Sequence, residues 1–258
     1  MHKDKLRIAI FTEQDYAFLF PAWKKFLDSE ESYQVVGIFV FPNLLGKHKG
    51  LQVPLYYLKT FGIITVLKLI WITTVATFKR YFTDGPHSYK DLAHRHSAAF
   101  EKHSNPNKQN VIDRMKELDV DIILSTCGYI FKKKILEAPK IGVINKHAGP
   151  LPSYRGLMPV FWTLLEAKQK VGVTIHFMDE KIDKGTMILQ HNYKQDFKTV
   201  EEAYTQVYKD FPKMMWDALD IVQAGGPYPK YPERDQSYFS LPTRNDNKWL
   251  KKQGKRFI

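Results

Sequence analysis

The stretch from Gly142 to Leu189, GVINKHAGPLPSYRGLMPVFWTLLEAKQKVGVTIHFMDEKIDKGTMIL, decides how this chain reads. A short apolar run, Ile141 to Ile144, delivers Asn145 and His147 two residues apart, and side chains so spaced share one face of a strand. A Pro- and Gly-rich loop follows, then a predicted helix from Met158 to Ala167 and a second apolar strand from Val171 to Met178. Beyond that strand come Asp179, Glu180 and the turn Asp183-Lys184-Gly185. An amide, an imidazole and a carboxylate are expected to converge where two neighbouring strands end.

Each of these groups has a use in acyl transfer. An amine attacking an acyl carbon produces an oxyanion, and an Asn amide is a neutral donor that can be aimed at that charge. A His can take the proton the amine loses or donate when charged. An Asp nearby can orient the imidazole, raise its basicity or anchor a proton-carrying water. No G-x-S-x-G motif is present, so no nucleophile elbow offers an acyl-enzyme and direct transfer is expected. Taken alone, Asn-x-His also describes a capping asparagine and a hydrogen-bonded histidine. His176, among apolar neighbours, is expected to be a hydrogen-bonded core residue rather than a catalytic one.

The longer constellation is more specific. N-x-H, then LPSYRGLMPVFW, then GVTIHFMDEKIDKG, resembles the 10-formyltetrahydrofolate-dependent formyltransferase family, whose members act on glycinamide ribonucleotide, methionyl-tRNA or nucleotide-linked amino sugars. The resemblance is dense over residues 120–193 and thin elsewhere. It implies an α/β fold, a twisted, mainly parallel Rossmann-like sheet flanked by helices, and 10-formyltetrahydrofolate as the formyl donor. The family's catalytic Asn, His and Asp fall on Asn145, His147 and Asp183. Its folate-binding positions fall on Gly128, Tyr129, Ile130 and Phe131, which follow the strand Val120 to Thr126, and on Asp179 and Asp183. Tyr154 and Arg155 match the acceptor loop, where Arg155 could hold a phosphate or carboxylate, or lock the loop through backbone carbonyls. Where the family commonly shows Ser-Leu-Leu-Pro, this chain has Gly149-Pro150-Leu151-Pro152, which stiffens that loop.

A chain of 258 residues with 44% hydrophobic and 14% aromatic content suits a packed globular protein. The expected organisation is a catalytic domain over 1–193 and a C-terminal helix and extension over 194–258. The lone Cys127 excludes an internal disulfide and fits a reducing, cytoplasmic setting. No apolar signal segment follows the basic start, and no metal site is expected. His94, His96 and His103 are too poorly spaced to share a helical face. The net charge of +12 suits either a lysine-rich surface or an anionic partner.

Leu6 to Phe11, Tyr16 to Leu27 and Val35 to Phe41 read as strand, helix and strand, a βαβ start. No glycine-rich turn lies between them, which counts against a phosphate cradle of the purine-pathway kind. Phe61 to Phe78, FGIITVLKLIWITTVATF, approaches a membrane span in length. It is expected to be a buried or partner-covered helix, with a peripheral membrane contact through 61–78, aided by Lys59, Lys68, Lys79 and Arg80, as the alternative. Ser88 to Glu101 reads as a helix, Asn107 as the cap of a helix reaching Leu118, and Val200 to Ala224 as a helix. The basic KWLKKQGKRF is expected to be an exposed tail.

The YFSLPT segment resembles one in sugar- and tRNA-modifying members, and no tRNA-gripping domain or RNA-binding motif is found. The expected function is therefore N-formylation of a small-molecule amine, a nucleotide-linked amino sugar, by a homodimer that binds no nucleic acid. The alternatives are another small amine, such as hydroxyornithine or a lipid-linked amino sugar, and a folate-binding protein without turnover.

Overall fold

The computed structural model describes residues 5–28 and 33–258; the basic start at residues 1–4 lies outside them. Strand β1 (Leu6–Glu13), helix α1 (Leu19–Asp28) and strand β2 (Tyr33–Phe41) form the expected βαβ unit, with β1 and β2 parallel. The short strands β3 (Leu44–Leu45) and β4 (His48–Lys49) and the helices α2 (Gln52–Phe61) and α3 (Ile63–Lys79) follow. A single 3-10 turn (Arg80–Phe82) leads to α4 (Tyr89–Arg95), β5 (Ala99–Lys102), α5 (Gln109–Glu117), β6 (Ile122–Ser125) and α6 (Lys133–Leu136). Next come β7 (Gly142–His147), β8 (Arg155–Gly156), α7 (Pro159–Glu166), β9 (Gly172–Phe177) and β10 (Met187–Asn192). The chain closes with α8 (Val200–Gln223), β11 (Tyr238–Phe239) and α9 (Arg244–Lys252).

Seven strands make one sheet in the order β10-β9-β7-β6-β1-β2-β5. All neighbours from β7 to β5 are parallel, and β9 is antiparallel to both β7 and β10. The fold is the α/β, mainly parallel architecture that the sequence implies. Its central strands are apolar on both faces, as a parallel sheet covered by helices requires. Ile8, Ile10, Ile122 and Leu124 enter the larger core, while Ala9, Phe11, Ile123 and Val143 enter a second core on the opposite face.

The 24-residue α8 belongs to the larger core. Thr199 caps its start by accepting from Glu202 N at 3.0 Å. Val200, Ala203, Val207, Phe211, Met214, Met215, Ala218 and Val222 are buried at helical spacing. Phe211 meets Trp23 of α1 edge to face at 4.8 Å, and Trp23 Nε1 donates to Thr12 Oγ1 at 3.1 Å, tying α1 to the end of β1.

Four expectations are corrected. Ser88 to Glu101 is not one helix: α4 ends at Arg95, and Ala99 joins the sheet edge opposite Gly37. At four residues, this strand is too short to stand out in sequence. Asn107 does not cap α5; Lys108 occupies that position without a side-chain bond, while Asn107 accepts from Lys132 N at 2.7 Å. The basic C-terminal segment is not an exposed tail. Its α9 starts in a capping box between Thr243 and Asp246, and Phe257 packs 4.1 Å from Phe61 with only 7% exposure. Finally, α3 is not buried within this chain: none of its 17 residues is. Among the described residues, no helix is long and apolar enough to cross a membrane.

Candidate active site

Strand β7 carries Asn145 and His147 on one face and Lys146 on the other, following its period of two. Lys146 is buried against α8, its Nζ 4.1 Å from the centre of the Tyr208 ring. Burial pushes this ammonium down to about 7, partly opposed by the Asp15 carboxylate.

Across the strand pair, Asn145 lies directly opposite His176, and His147 opposite Thr174. Because β9 is antiparallel, it does not end beside His147 as a parallel pair would. Asp183 instead reaches the site through the loop after Phe177, which folds back over the strand ends. Its carboxylate lies 3.5 Å from His147 Nδ1 and 3.8 Å from His176 Nε2, and it accepts a hydrogen bond from Gly156 N at 2.8 Å. The remaining His147 nitrogen, Nε2, is 2.8 Å from the Tyr154 carbonyl. Two acceptors thus flank one ring: the neutral imidazole can donate to one of them and the charged one to both.

His176 is the buried, hydrogen-bonded core residue expected, and it also borders this cluster. It is 2% exposed, and burial pushes its pKa down to about 4, against the opposing influence of Asp183. Its Nδ1 lies 2.7 Å from the Phe177 carbonyl, which can only accept, so Nδ1 holds the hydrogen of the neutral ring. Nε2 is then a bare acceptor for an Asn145 amide hydrogen, 3.4 Å away.

Local backbone geometry holds the cluster. Tyr154 and Asp183 both adopt left-handed conformations, with φ of +56° and +51°, which L residues adopt at a cost. Gly185 packs so closely that a Cβ there would lie 1.8 Å from the Phe177 carbonyl. Thr174 Oγ1 donates to Gly149 O at 2.8 Å and accepts from Leu151 N at 3.2 Å, fixing the proline-rich loop, whose Leu151–Pro152 bond is cis. The segment 231–239 straps the site from outside. Tyr231 donates to Gly185 O at 2.7 Å, Ser237 Oγ accepts from Tyr154 N at 2.8 Å, and β11 pairs with β8.

The other expected site residues fall in different settings. The Tyr154 side chain is 2% exposed and stacks on Phe239, leaving its carbonyl as the group that meets the site. Arg155 has its Nε buried without a partner. Tyr129 and Phe131 commit their rings to the second core, with the Tyr129 hydroxyl donating to Pro42 O at 3.0 Å. Ile130 stands 64% exposed beside an exposed Gly128, whose N–H donates to Glu13 Oε1 at 2.9 Å. Glu13 also accepts from Leu44 N at 3.3 Å, and burial raises its pKa to about 7. Asp179 is exposed and accepts from Lys181 N at 3.1 Å. Among the described residues, no group of three or more His, Cys, Asp or Glu could hold a metal ion. Two surface hollows open away from the cluster, one of 170 Å³ lined by Thr163, Val171 and Phe197 and one of 330 Å³ lined by Leu27, Val35 and His96.

The chain resembles known proteins in sequence and in fold. The family model described as formyl transferase matches residues 84–219. Methionyl-tRNA formyltransferase of Clostridioides difficile (strain 630) is 30% identical over 158 residues, covering 60% of this chain and 51% of that protein. The chain thus spans about half the length of that curated relative. A sugar N-formyltransferase from a Shewanella species superposes with a TM-score of 0.58 at 18% identity, covering 92% of this chain and 77% of the other. A sugar 3N-formyltransferase solved in the presence of dTDP and 5-N-formyl-THF superposes with a TM-score of 0.55 at 17% identity, covering 92% and 70%. At these identities the two structures speak to the fold.

Proposed function

The chain belongs to the formyl transferase family, and we propose on that premise that it moves a formyl group from 10-formyltetrahydrofolate to the primary amine of a nucleotide-linked amino sugar. The observation that carries the proposal is the meeting of Asn145, His147, His176 and Asp183 at the end of β7. When bound, 10-formyltetrahydrofolate supplies the carbon that the amine attacks and the nitrogen that leaves.

The surroundings suit both substrates. Exposed Ile130 beside Gly128 offers apolar surface that a flat ring can cover. Half-buried Arg155, next to the residue whose N–H binds Asp183, carries a charge that suits an acceptor phosphate. With one amide hydrogen directed to His176, Asn145 has a second free to donate to the oxygen that gains charge. The Asp183 carboxylate lies against both histidine rings and offers the amine's proton a route through His147 or a bound water. His147, between Asp183 and the Tyr154 carbonyl, is held where its positive charge would stabilise the developing anion.

The match to methionyl-tRNA formyltransferase favours a second reading, with an aminoacyl-tRNA as the amine. One experiment separates them: tetrahydrofolate release followed by absorbance, with 3-amino and 4-amino nucleotide sugars, hydroxyornithine and methionyl-tRNA as acceptors. Turnover on an amino sugar and none on methionyl-tRNA is the expected result. Release with methionyl-tRNA alone would replace the proposal with the second reading, and no release with any amine would refute formyl transfer to these acceptors.

A further inference from the structure

Among the described residues, helix α3 carries the largest run of exposed apolar side chains. Ile63, Ile64, Leu67, Ile70, Trp71 and Phe78 are each at least 55% exposed. At 3.6 residues per turn all six fall within one arc of about 120°. Lys68 and Lys79 follow about 50° farther round, at the edge of the same face. The patch continues onto Leu55 and Leu58 of α2 and onto Tyr81 and Phe82 after α3. A contiguous apolar surface of this kind marks an interaction site.

The face is held rigidly. At one end Phe61 is buried, 4.1 Å from Phe257, and Gly62 turns the chain with φ +90°. At the other, the Arg80 guanidinium lies 3.8 Å over the Tyr16 ring and donates to His87 O at 2.8 Å. Between these anchors 17 residues span about 25 Å.

Charge selects the occupant. From residue 33 to residue 83 the sequence contains no Asp or Glu, while Lys47, Lys49, Lys59, Lys68, Lys79 and Arg80 all fall within it. A second copy pairing through α3 would bring two cationic rims together with no carboxylate from this region between them. An anionic lipid surface complements the rim and accepts the apolar face, with Trp71 and Tyr81 suited to the headgroup level. We propose that α3 docks this protein on an anionic membrane surface, lying in the plane of the interface without crossing it.

Sedimentation with phosphatidylcholine vesicles, alone or mixed with phosphatidylglycerol, tests the proposal on the full chain. The protein is expected to partition onto the anionic vesicles in preference to the neutral ones, and less so as salt rises. The pair Lys68→Gln and Lys79→Gln should lower the anionic-vesicle partition coefficient about 25-fold, roughly fivefold per charge. The pair Leu67→Ser and Trp71→Ser should abolish binding while leaving far-ultraviolet circular dichroism and Tm unchanged, since both side chains are exposed. Absence of binding by the folded wild-type chain, or binding indifferent to the Leu67 and Trp71 changes, would overturn the proposal. So would a dimer that those two changes dissociate and that ignores vesicles, which would assign the face to a second copy.

Discussion

The Asn145 amide nitrogen lies 3.4 Å from His176 Nε2, and the two residues are direct partners across the β7–β9 pairing. The bond from His176 Nδ1 to the Phe177 carbonyl decides which nitrogen of His176 accepts, so a peptide group one residue along β9 sets the orientation of the amide on β7. Asn145→Ala should lower kcat by about a hundredfold or more through loss of an oxyanion donor. His176→Phe keeps the amide but removes its acceptor and should cost about tenfold to a hundredfold. Steady-state kinetics on the active acceptor checks both, and a near-normal rate for Asn145→Ala would remove the role assigned to it.

His147→Ala should lower turnover by about a hundredfold or more, through loss of the general base and charge partner. Asp183→Asn retains an oxygen that can accept from Gly156 N but loses the carboxylate charge, so it should fold normally and lose activity. A pH–rate profile that differs from that of the wild-type chain would show the carboxylate acting through His147 rather than only holding the loop.

The buried His176 makes stability depend on pH in a set direction. Its folded-state pKa of about 4 lies below the usual 6.5, so between these values the unfolded chain binds a proton that the folded chain does not. This contribution is present above 6.5 and is lost as pH falls towards 4, amounting to at most about 3 kcal/mol. Glu13, raised from 4.5 to about 7, acts oppositely: its contribution is present at low pH and is lost as pH rises through 7. The two shifts are of equal size and nearly cancel, so relative to the wild-type chain denaturant midpoints should fall from pH 4 to 7 in His176→Asn. Relative to the same reference they should rise in Glu13→Gln.

Gly185→Ala should destabilise the loop that carries Asp183. The added carbon would sit 1.8 Å from the backbone oxygen of Phe177, which cannot move without displacing β9. Activity should fall by more than Tm, because the strap through Tyr231 holds the same turn.

Phe257→Ala should cost about 3–5 kcal/mol, as for other large buried aromatics. A loss below 1 kcal/mol in urea denaturation would show that the contact with Phe61 is dispensable.

Much of the fold is legible in the sequence because buried parallel strands leave unbroken apolar runs, as at Ile8 to Phe11 and Ile122 to Leu124. Asn145, His147 and Asp183 are legible because they sit at a strand end and a turn with a specific spacing. That His176 also borders the cluster is concealed because a neutral buried imidazole among Val173, Ile175 and Phe177 has the sequence context of any core histidine. The C-terminal segment misleads for a different reason. Lysines and arginines cover its outer face, while Leu250 and Phe257 alone enter the core, too few to establish a period. The exposure of α3 is likewise hidden, since an apolar helix reads the same whether the chain itself or something outside it covers the face.

The lysine between Asn145 and His147 of β7 has one more consequence. Lys146 rests against Tyr208 on the far side of the sheet, so sliding the strand by one position would drive Asn145 and His147 into the apolar packing of α8 and aim an ammonium at the substrates. The long helix therefore keeps the strand in phase from behind, and with it sets the side of the sheet on which Asn145 and His147 stand.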